Sequence, residues 1–306
     1  MPRLSQTRAY VALFVIASLW GTFPATAKLA LADIPPTLLT AIRTAVAASF
    51  LVALLLRSGF DAGRELTADA VRAFFVLGVC GLVISTQISY WGIYTTTAAN
   101  AAILQATAPV MVALGARAYL GERMRPRQRV GVGVSMLGVL LVVTEGRLAE
   151  LAPSELRLGD FLTLFALLGW TVYTVYGKRV LAGHSPALAT TGAYVCGTLV
   201  LVPLAVVTAP LTPRPRLASV TAWAVLLYHA IPGAVAHLWW YAAVERVGPS
   251  RAAIFMNVTP VVGIATAALL VGEEIGPWQV GGAAMVLAGV ALTTGGRAPA
   301  RPPARG

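Results

Sequence analysis

The sequence predicts an all-α integral membrane protein with ten transmembrane helices, arranged as two inverted five-helix repeats. Composition, ten apolar runs and an internal repeat with loops of opposite charge together predict this class. Of the 306 residues, 58% are hydrophobic and 11% are charged, whereas soluble domains carry about 25% charged residues. Too few polar side chains remain to cover a surface that faces water, so lipid is the expected surrounding.

Ten apolar runs are close to the twenty residues that a helix needs to cross a bilayer. They cover residues 9–31, 36–56, 71–92, 98–119, 129–144, 159–178, 187–208, 219–242, 250–271 and 278–295. The first run also fits a cleaved signal peptide, with Arg3 and Arg8 before it and small residues at 25–27. Against that alternative, Trp20 and Lys28 have counterparts later in the chain.

An internal repeat relates the two halves of the chain. With an offset of 151, residues 90–141 match residues 241–292 at 15 of 52 positions without a gap. Tyr, Pro, Glu and Gln matches share this register, which low-complexity Ala and Val would not produce. At an offset of 150, Trp20 and Lys28 meet Trp170 and Lys178. We therefore predict a first repeat at 1–146, a second at 147–296 and a disordered cytoplasmic tail at 297–306.

Charges in the loops predict that the second repeat is inverted. A unit of five helices reverses its direction in the next copy, and with a cytoplasmic N-terminus 17 of the 23 Lys and Arg residues lie inside. The loop 121–129 carries four Arg, while its copy at 272–279 carries none. Cytoplasmic loops are rich in cations, so both termini are predicted to be cytoplasmic, in the plasma (inner) membrane.

Inverted repeats are typical of secondary transporters, because two related halves that exchange conformations turn an outward cavity into an inward one. The sequence lacks the motifs of membrane enzymes, the ligand spacing of a metal site and a soluble output domain for a sensor. The two cysteines, Cys80 and Cys196, lie in separate apolar runs. We therefore expect a small-molecule substrate and lipid as partners, no nucleic acid, no cofactor or metal, and a monomer or homodimer.

At these residues the chain resembles the EamA-type family of the drug/metabolite transporter superfamily. The resemblance includes Trp20-Gly21, Arg43, and the Pro-containing fourth and ninth spans that end in Leu120-Gly121-Glu122 and Val271-Gly272-Glu273. It implies alternating access, with a central cavity lined mainly by spans 1, 3, 4, 6, 8 and 9. Family members export amino acids and other metabolites, and some take up solutes. The second repeat departs from the first at Thr171, which follows Trp170 where the first repeat has Gly21.

Polar and aromatic side chains in the middle of the spans are the candidate substrate-binding residues, because polar groups in lipid turn to the bundle interior. They are Trp20, Arg43, Gln87, Tyr90, Gln105, Trp170, Tyr173, His237, Trp240, Tyr241 and Asn257. Arg43 is the cation to attract a carboxylate, although a structural role is equally compatible with its position. The indoles of Trp20 and Trp170 fit either substrate stacking or helix packing.

Four prolines interrupt spans and remove backbone donors, so they are candidate hinges: Pro24, Pro109, Pro232 and Pro260. No Asp or Glu lies in the middle of a span, which disfavours a carboxylate proton relay. His229 and His237 are the mid-span groups that titrate near neutrality. We therefore expect facilitated movement down a gradient, with His-linked proton coupling as the alternative. An amino acid or related metabolite is the expected substrate of export; nucleosides and amphipathic amines remain alternatives, in either direction.

Overall fold

The structure is a computed structural model, and it describes residues 5–105, 107–120, 126–144 and 157–294. These residues form fourteen α-helices with short 3₁₀ and π segments between some of them. The first half contains α1 (Gln6–Leu31), α2 (Pro36–Leu56), α3 (Ala62–Glu65), α4 (Ala68–Gly78), α5 (Ile88–Thr95), α6 (Ala98–Gln105), α7 (Ala108–Leu120) and α8 (Pro126–Thr144). The second half contains α9 (Leu158–Val180), α10 (Pro186–Thr208), α11 (Val220–Val247), α12 (Pro249–Ile254), α13 (Val258–Thr266) and α14 (Pro277–Thr294). The tail at 297–306 lies outside the described residues.

The helices begin where the sequence provides N-terminal signals. A hydroxyl side chain before the helix accepts a hydrogen bond from a backbone N–H of the first turn in α1, α4, α10 and α11, through Ser5, Thr67, Ser185 and Ser219. This satisfies one of the amides that have no partner inside the helix. Pro36 and Pro186 occupy the first position of α2 and α10, where a missing N–H costs little. Helical segments therefore begin within three residues of each predicted span.

Seven helical segments are long and apolar enough to cross a membrane by length and composition: Gln6–Leu31, Pro36–Leu56, Ala68–Thr95, Ala98–Tyr119, Leu158–Val180, Pro186–Leu211 and Val220–Val247. Val258–Val271 is a shorter apolar helix. The other predicted spans correspond to α8 and α14, which are helical but are not among the seven. The regular secondary structure of the described residues is thus entirely helical and largely suited to a membrane, while ten crossings remain a prediction.

Three predicted spans are irregular rather than single α-helices. The third contains a π-helical stretch, Val79–Gln87, between α4 and α5. The fourth is divided between α6 and α7, with Pro109 as the second residue of α7. The ninth runs through α12, a 3₁₀ turn at Phe255–Asn257, α13 and a π turn at Ala267–Val271. Proline donates no backbone hydrogen bond, which accounts for new helical segments near Pro109 and Pro260.

Helix packing joins the two halves of the chain throughout the bundle. α8 packs along α14, α2 along α10, and α1 against both α11 and α13. α9 packs against α5, α7 and the π-helical stretch. Most of these contacts pair helices of the first predicted repeat with helices of the second. The centre of the bundle is therefore an interface between the two halves.

Candidate functional site

An aromatic cluster occupies the middle of this interface. The ring of Trp20 on α1 lies 5.2 Å from that of Trp170 on α9 in an edge-on arrangement. The imidazole of His237 on α11 lies 5.1 Å from Trp20, and the indole of Trp240 lies 5.3 Å from Trp170. Residues three or four apart share one helix face, so α11 presents His237 and Trp240 together. Three helices thus bring indoles from both halves of the chain into contact.

A cavity opens beside the aromatic cluster and contains about 740 Å³ of empty space, including its open mouth. Like small-molecule sites, it combines apolar walls with a few polar groups. Its wall is formed by Trp20, Phe23, Arg43, Ser85, Thr86, Ser89, Tyr90, Ile93, Gln105, Ala108, Thr163, Ala166, Leu167, Trp170, His237 and Met256. Both halves of the chain contribute to this wall.

Six of the eleven candidate residues lie in the cavity wall: Trp20, Arg43, Tyr90, Gln105, Trp170 and His237. Tyr173, Trp240 and Tyr241 are buried behind it, where the rings of Tyr173 and Tyr241 stack with centroids 4.7 Å apart. Gln87 lies outside the wall and donates to the Thr37 hydroxyl at 2.9 Å. The side chain of Asn257 lies outside the described part of the chain.

Arg43 is completely enclosed by the bundle, with 2% of its surface exposed. Its Nη1 donates to the Tyr90 hydroxyl at 2.9 Å. The Tyr90 hydroxyl is hydrogen-bonded to Nδ1 of His229, and Nε2 of His229 is 2.8 Å from the Thr26 hydroxyl. A line of side chains therefore connects α2, α5, α11 and α1.

The direction of each hydrogen bond in this line follows from the chemistry of Arg43 at one end and of Thr26 at the other. Arg43 can only donate, so the Tyr90 oxygen accepts from it and the Tyr90 O–H is free to donate to His229 Nδ1. The Thr26 hydroxyl donates to the Thr22 carbonyl at 2.8 Å, so it accepts from Nε2–H of His229. This assignment makes His229 neutral. A proton on Nδ1 of His229 would face the hydrogen of the Tyr90 O–H, so the arrangement disfavours a charged His229.

A second branch leads from Arg43 to the aromatic cluster. Tyr194 on α10 is a further neighbour of Arg43, and its hydroxyl is 3.1 Å from Nδ1 of His237. The same Nδ1 donates to the Gly233 carbonyl at 2.9 Å, because a carbonyl can only accept. Arg43 is thus held between two phenols, each of which is bonded to a histidine.

Ionic contacts join the two halves at one end of the bundle. The Glu273 carboxylate, which follows α13, accepts from the backbone N–H groups of Ala98 at 2.7 Å and Ala99 at 2.9 Å. These amides begin α6, where the helix dipole favours a negative charge. Asp33 forms an ion pair with Arg216 at the start of the loop after α1. These contacts therefore connect the two halves of the chain at the end of the bundle that contains Leu31 and Ala98.

The four candidate hinge prolines occupy two kinds of position. Pro24 and Pro232 lie inside α1 and α11. Pro109 and Pro260 lie in the first turns of α7 and α13, just after interruptions of the fourth and ninth spans. A further proline, Pro203, lies inside α10.

Several cavity residues were missed by periodicity because the third span contains a π-helical stretch. A π turn has an i→i+5 hydrogen-bond pattern, which shifts every later residue around the helix axis. Ser85, Thr86 and Ser89 consequently reach the cavity, while Gln87 turns to α2.

The sequence matches a known family of transporters. The model of the EamA-like transporter family matches residues 7–144 and again residues 157–295. The chain belongs to the EamA-like transporter family. As a member of this family it is a multi-pass membrane protein that transports a small molecule, and its relatives are transporters rather than enzymes.

Relatives of similar length support the family assignment. An uncharacterized transporter of Bacillus subtilis (strain 168), YyaM, is 26% identical over 287 residues, which cover 94% of this chain and 93% of the relative. A probable amino-acid metabolite efflux pump of Salmonella typhimurium (strain LT2) is 27% identical over 307 residues, 96% of each chain. A solved crystal structure is similar in fold, with a TM-score of 0.68 and 19% identity over 95% of this chain and 99% of that one.

Proposed function

We propose that this EamA-like protein exports a small metabolite related to amino acids across the plasma (inner) membrane by alternating access. The observation that carries the proposal is a cavity in the middle of the bundle, walled by helices from both halves of the chain. A relative over 96% of the chain is named a probable amino-acid metabolite efflux pump, and this supports the substrate class and direction. The substrate site consists of the six candidate residues in the wall, with Phe23 and the hydroxyls of Ser89 and Thr163.

The same proposal includes ten membrane crossings in two inverted repeats, residues 1–146 and 147–296. Two separate matches to the family model support two units. Helix packing supports a two-fold relation, because α2 pairs with its counterpart α10 and α8 with its counterpart α14. Exchange of conformations between such halves opens a central cavity alternately to the two sides.

The inverted arrangement predicts that equivalent loops lie on opposite sides of the membrane. Cysteines introduced by Arg125→Cys and Glu274→Cys, in a chain whose Cys80 and Cys196 are replaced by Ala, should differ in labelling. A membrane-impermeant maleimide added to intact cells should label position 274 at once and position 125 only after permeabilisation, because Arg-rich loops remain cytoplasmic. Equal labelling of both positions in intact cells would disprove the inverted repeat.

Transport should be measurable with purified protein in liposomes. We expect at least one member of a panel of amino acids, acylated amino acids and nucleosides to move tenfold or more faster than in protein-free vesicles. Trp20→Ala should lower that rate about tenfold or change the preferred substrate, because the indole forms one wall of the cavity. The panel is run with and without a pH gradient, which separates facilitated movement from proton coupling.

The matched control is Trp239→Ala, which removes the same side chain from an exposed position of α11. Its transport rate should stay within twofold of the unchanged protein. Equal losses in Trp20→Ala and Trp239→Ala would mean that the cavity is not the substrate site. A preference for nucleosides or amphipathic amines in the panel would replace the amino-acid class while leaving the transport cycle intact.

A further inference from the structure

Arg43 is a positive charge inside the membrane region whose described partners are all neutral. Its Nη1 donates to the phenol of Tyr90, and the phenol of Tyr194 is a further neighbour. Its Nε is buried and has no hydrogen-bond partner, and none of the described ion pairs includes it. A buried charge without a counter-ion is costly, and buried charges are normally paired. Among the residues that the structure describes, the cation therefore has no anionic partner.

The described cavity wall contains no Asp or Glu that would bind a positively charged group of a ligand. The nearest acidic residue along α9 is Asp160, one turn before Thr163, and its carboxylate accepts from the Thr96 hydroxyl. Besides Arg43, the polar wall consists of hydroxyls, one amide and an imidazole. The rest is apolar, with Trp20, Phe23 and Trp170 among its aromatic side chains. One positive charge thus faces a wall that is otherwise neutral.

We propose that the cavity selects a monovalent organic anion, a carboxylate with an apolar or aromatic body and no free amino group, over a zwitterionic amino acid. This inference rests on the proposed transport function and narrows its substrate class. The carboxylate pairs with the guanidinium of Arg43, whose Nε–H has no hydrogen-bond partner among the described residues. The body of the ligand packs against the indoles of Trp20 and Trp170. A bound zwitterion would place its ammonium group against this wall, which offers no negatively charged partner.

The charge of Arg43 then has a consequence for the driving force. With an anion bound the site is neutral, and without it the site carries one positive charge. Each cycle moves one negative charge outward, so a potential that is negative inside drives export without proton coupling. At equilibrium, about 59 mV across the membrane corresponds to a tenfold distribution ratio of a singly charged substrate.

The test uses three ligands with one aromatic body: N-acetylphenylalanine (an anion), phenylalanine (a zwitterion) and phenylalaninamide (a cation). Binding to the purified protein is read from intrinsic tryptophan fluorescence, which requires no transport. The anion should bind at least tenfold tighter than the other two. Equal or tighter binding of the zwitterion or the cation would overturn the proposal, as would no response to the anion at millimolar concentration.

Variants separate the charge from the fold. Arg43→Gln should abolish the preference for the anion, and Arg43→Lys should retain most of it because the charge remains. Arg179→Gln is the matched control, since Arg179 is bonded to the Tyr119 hydroxyl outside the cavity, and its preference should be unchanged. Unchanged anion binding in Arg43→Gln would overturn the proposal. The ligand series on the unchanged protein decides the question even if Arg43→Gln does not fold.

Transport in vesicles with an imposed K⁺ diffusion potential tests the charge movement. The anion should redistribute about tenfold for each 59 mV, and a distribution that ignores the potential would contradict the proposed cycle. If the anion binds through Arg43 but no ligand moves faster than in protein-free vesicles, the proposed transport function fails and the binding inference stands. If transport occurs and favours the zwitterion, the inference fails and the function stands.

Discussion

Tyr90→Phe is expected to lower the apparent melting temperature of the detergent-purified protein by roughly 5 °C or more. The Tyr90 hydroxyl accepts from Arg43 and is bonded to His229, so its loss leaves a buried cation and a buried imidazole nitrogen each without this partner. An unsatisfied buried group costs about 1–3 kcal/mol, and a charged one costs more. The aromatic ring is retained, so the change isolates the hydroxyl.

The control for this prediction is Tyr94→Phe, four residues later on the same helix. Tyr94 is 42% exposed and its ring packs edge-on against Trp91, a contact that phenylalanine keeps. Its melting temperature should stay within about 1 °C, since surface substitutions usually change stability by less than 0.5 kcal/mol. Equal melting temperatures for the two variants would mean that Tyr90 does not support Arg43 and His229.

Gly169→Ala is expected to destabilise the protein more than Gly133→Ala, although both changes replace glycine by alanine. A Cβ at Gly169 would lie 2.5 Å from the carbonyl oxygen of Cys80 and 2.8 Å from the backbone N of Ser85. Both atoms are backbone, so α9 and the π-helical stretch have to separate. Overpacking of this kind costs about 1–3 kcal/mol, and more where the backbone cannot move. We expect a large drop in melting temperature or loss of folded protein in fluorescence size-exclusion chromatography.

Gly133→Ala is the matched counterpart, because a Cβ at Gly133 would meet no atom within 4 Å. Alanine favours a helix over glycine by up to about 1 kcal/mol, so this variant should be as stable as the unchanged protein or slightly more. Comparable destabilisation by both changes would show that glycine acts here through helix flexibility rather than through close approach of α9.

The helical fold follows from hydrophobicity, since an apolar run of twenty residues has few structural alternatives in lipid. Helix starts are also predictable from local sequence, because residues such as Ser185 and Pro186 favour the first turn of a helix. The π-helical stretch is not, since its i→i+5 pattern depends on packing against α9 rather than on local sequence. Its effect on Gln87 and Ser89 explains why one predicted residue faces α2 and one unpredicted residue faces the cavity.

Parts of the candidate site were also visible in the sequence. Trp20 and Trp170 occupy matching positions near the middle of their spans, and they meet in the structure as such symmetry implies. The polar partners of Arg43 were less accessible, because Tyr194 and Thr26 are ordinary residues until distant helices bring them together. Long-range contacts of this kind have no periodicity of their own.

Under the proposed inverted repeat, the hydrogen bonds that Glu273 accepts from Ala98 and Ala99 cannot be reproduced identically by the equivalent residues on the other side of the membrane. At the offset of the repeat, Glu273 corresponds to Glu122, and Ala98 and Ala99 correspond to Pro249 and Ser250. Proline has no amide hydrogen, so the equivalent interaction of Glu122 would have one backbone donor fewer. A hydrogen bond to a charged group contributes about 1.5–3 kcal/mol, which corresponds to a population ratio of roughly ten to one hundred. Without substrate, the carrier should therefore favour the conformation that contains the Glu273 hydrogen bonds.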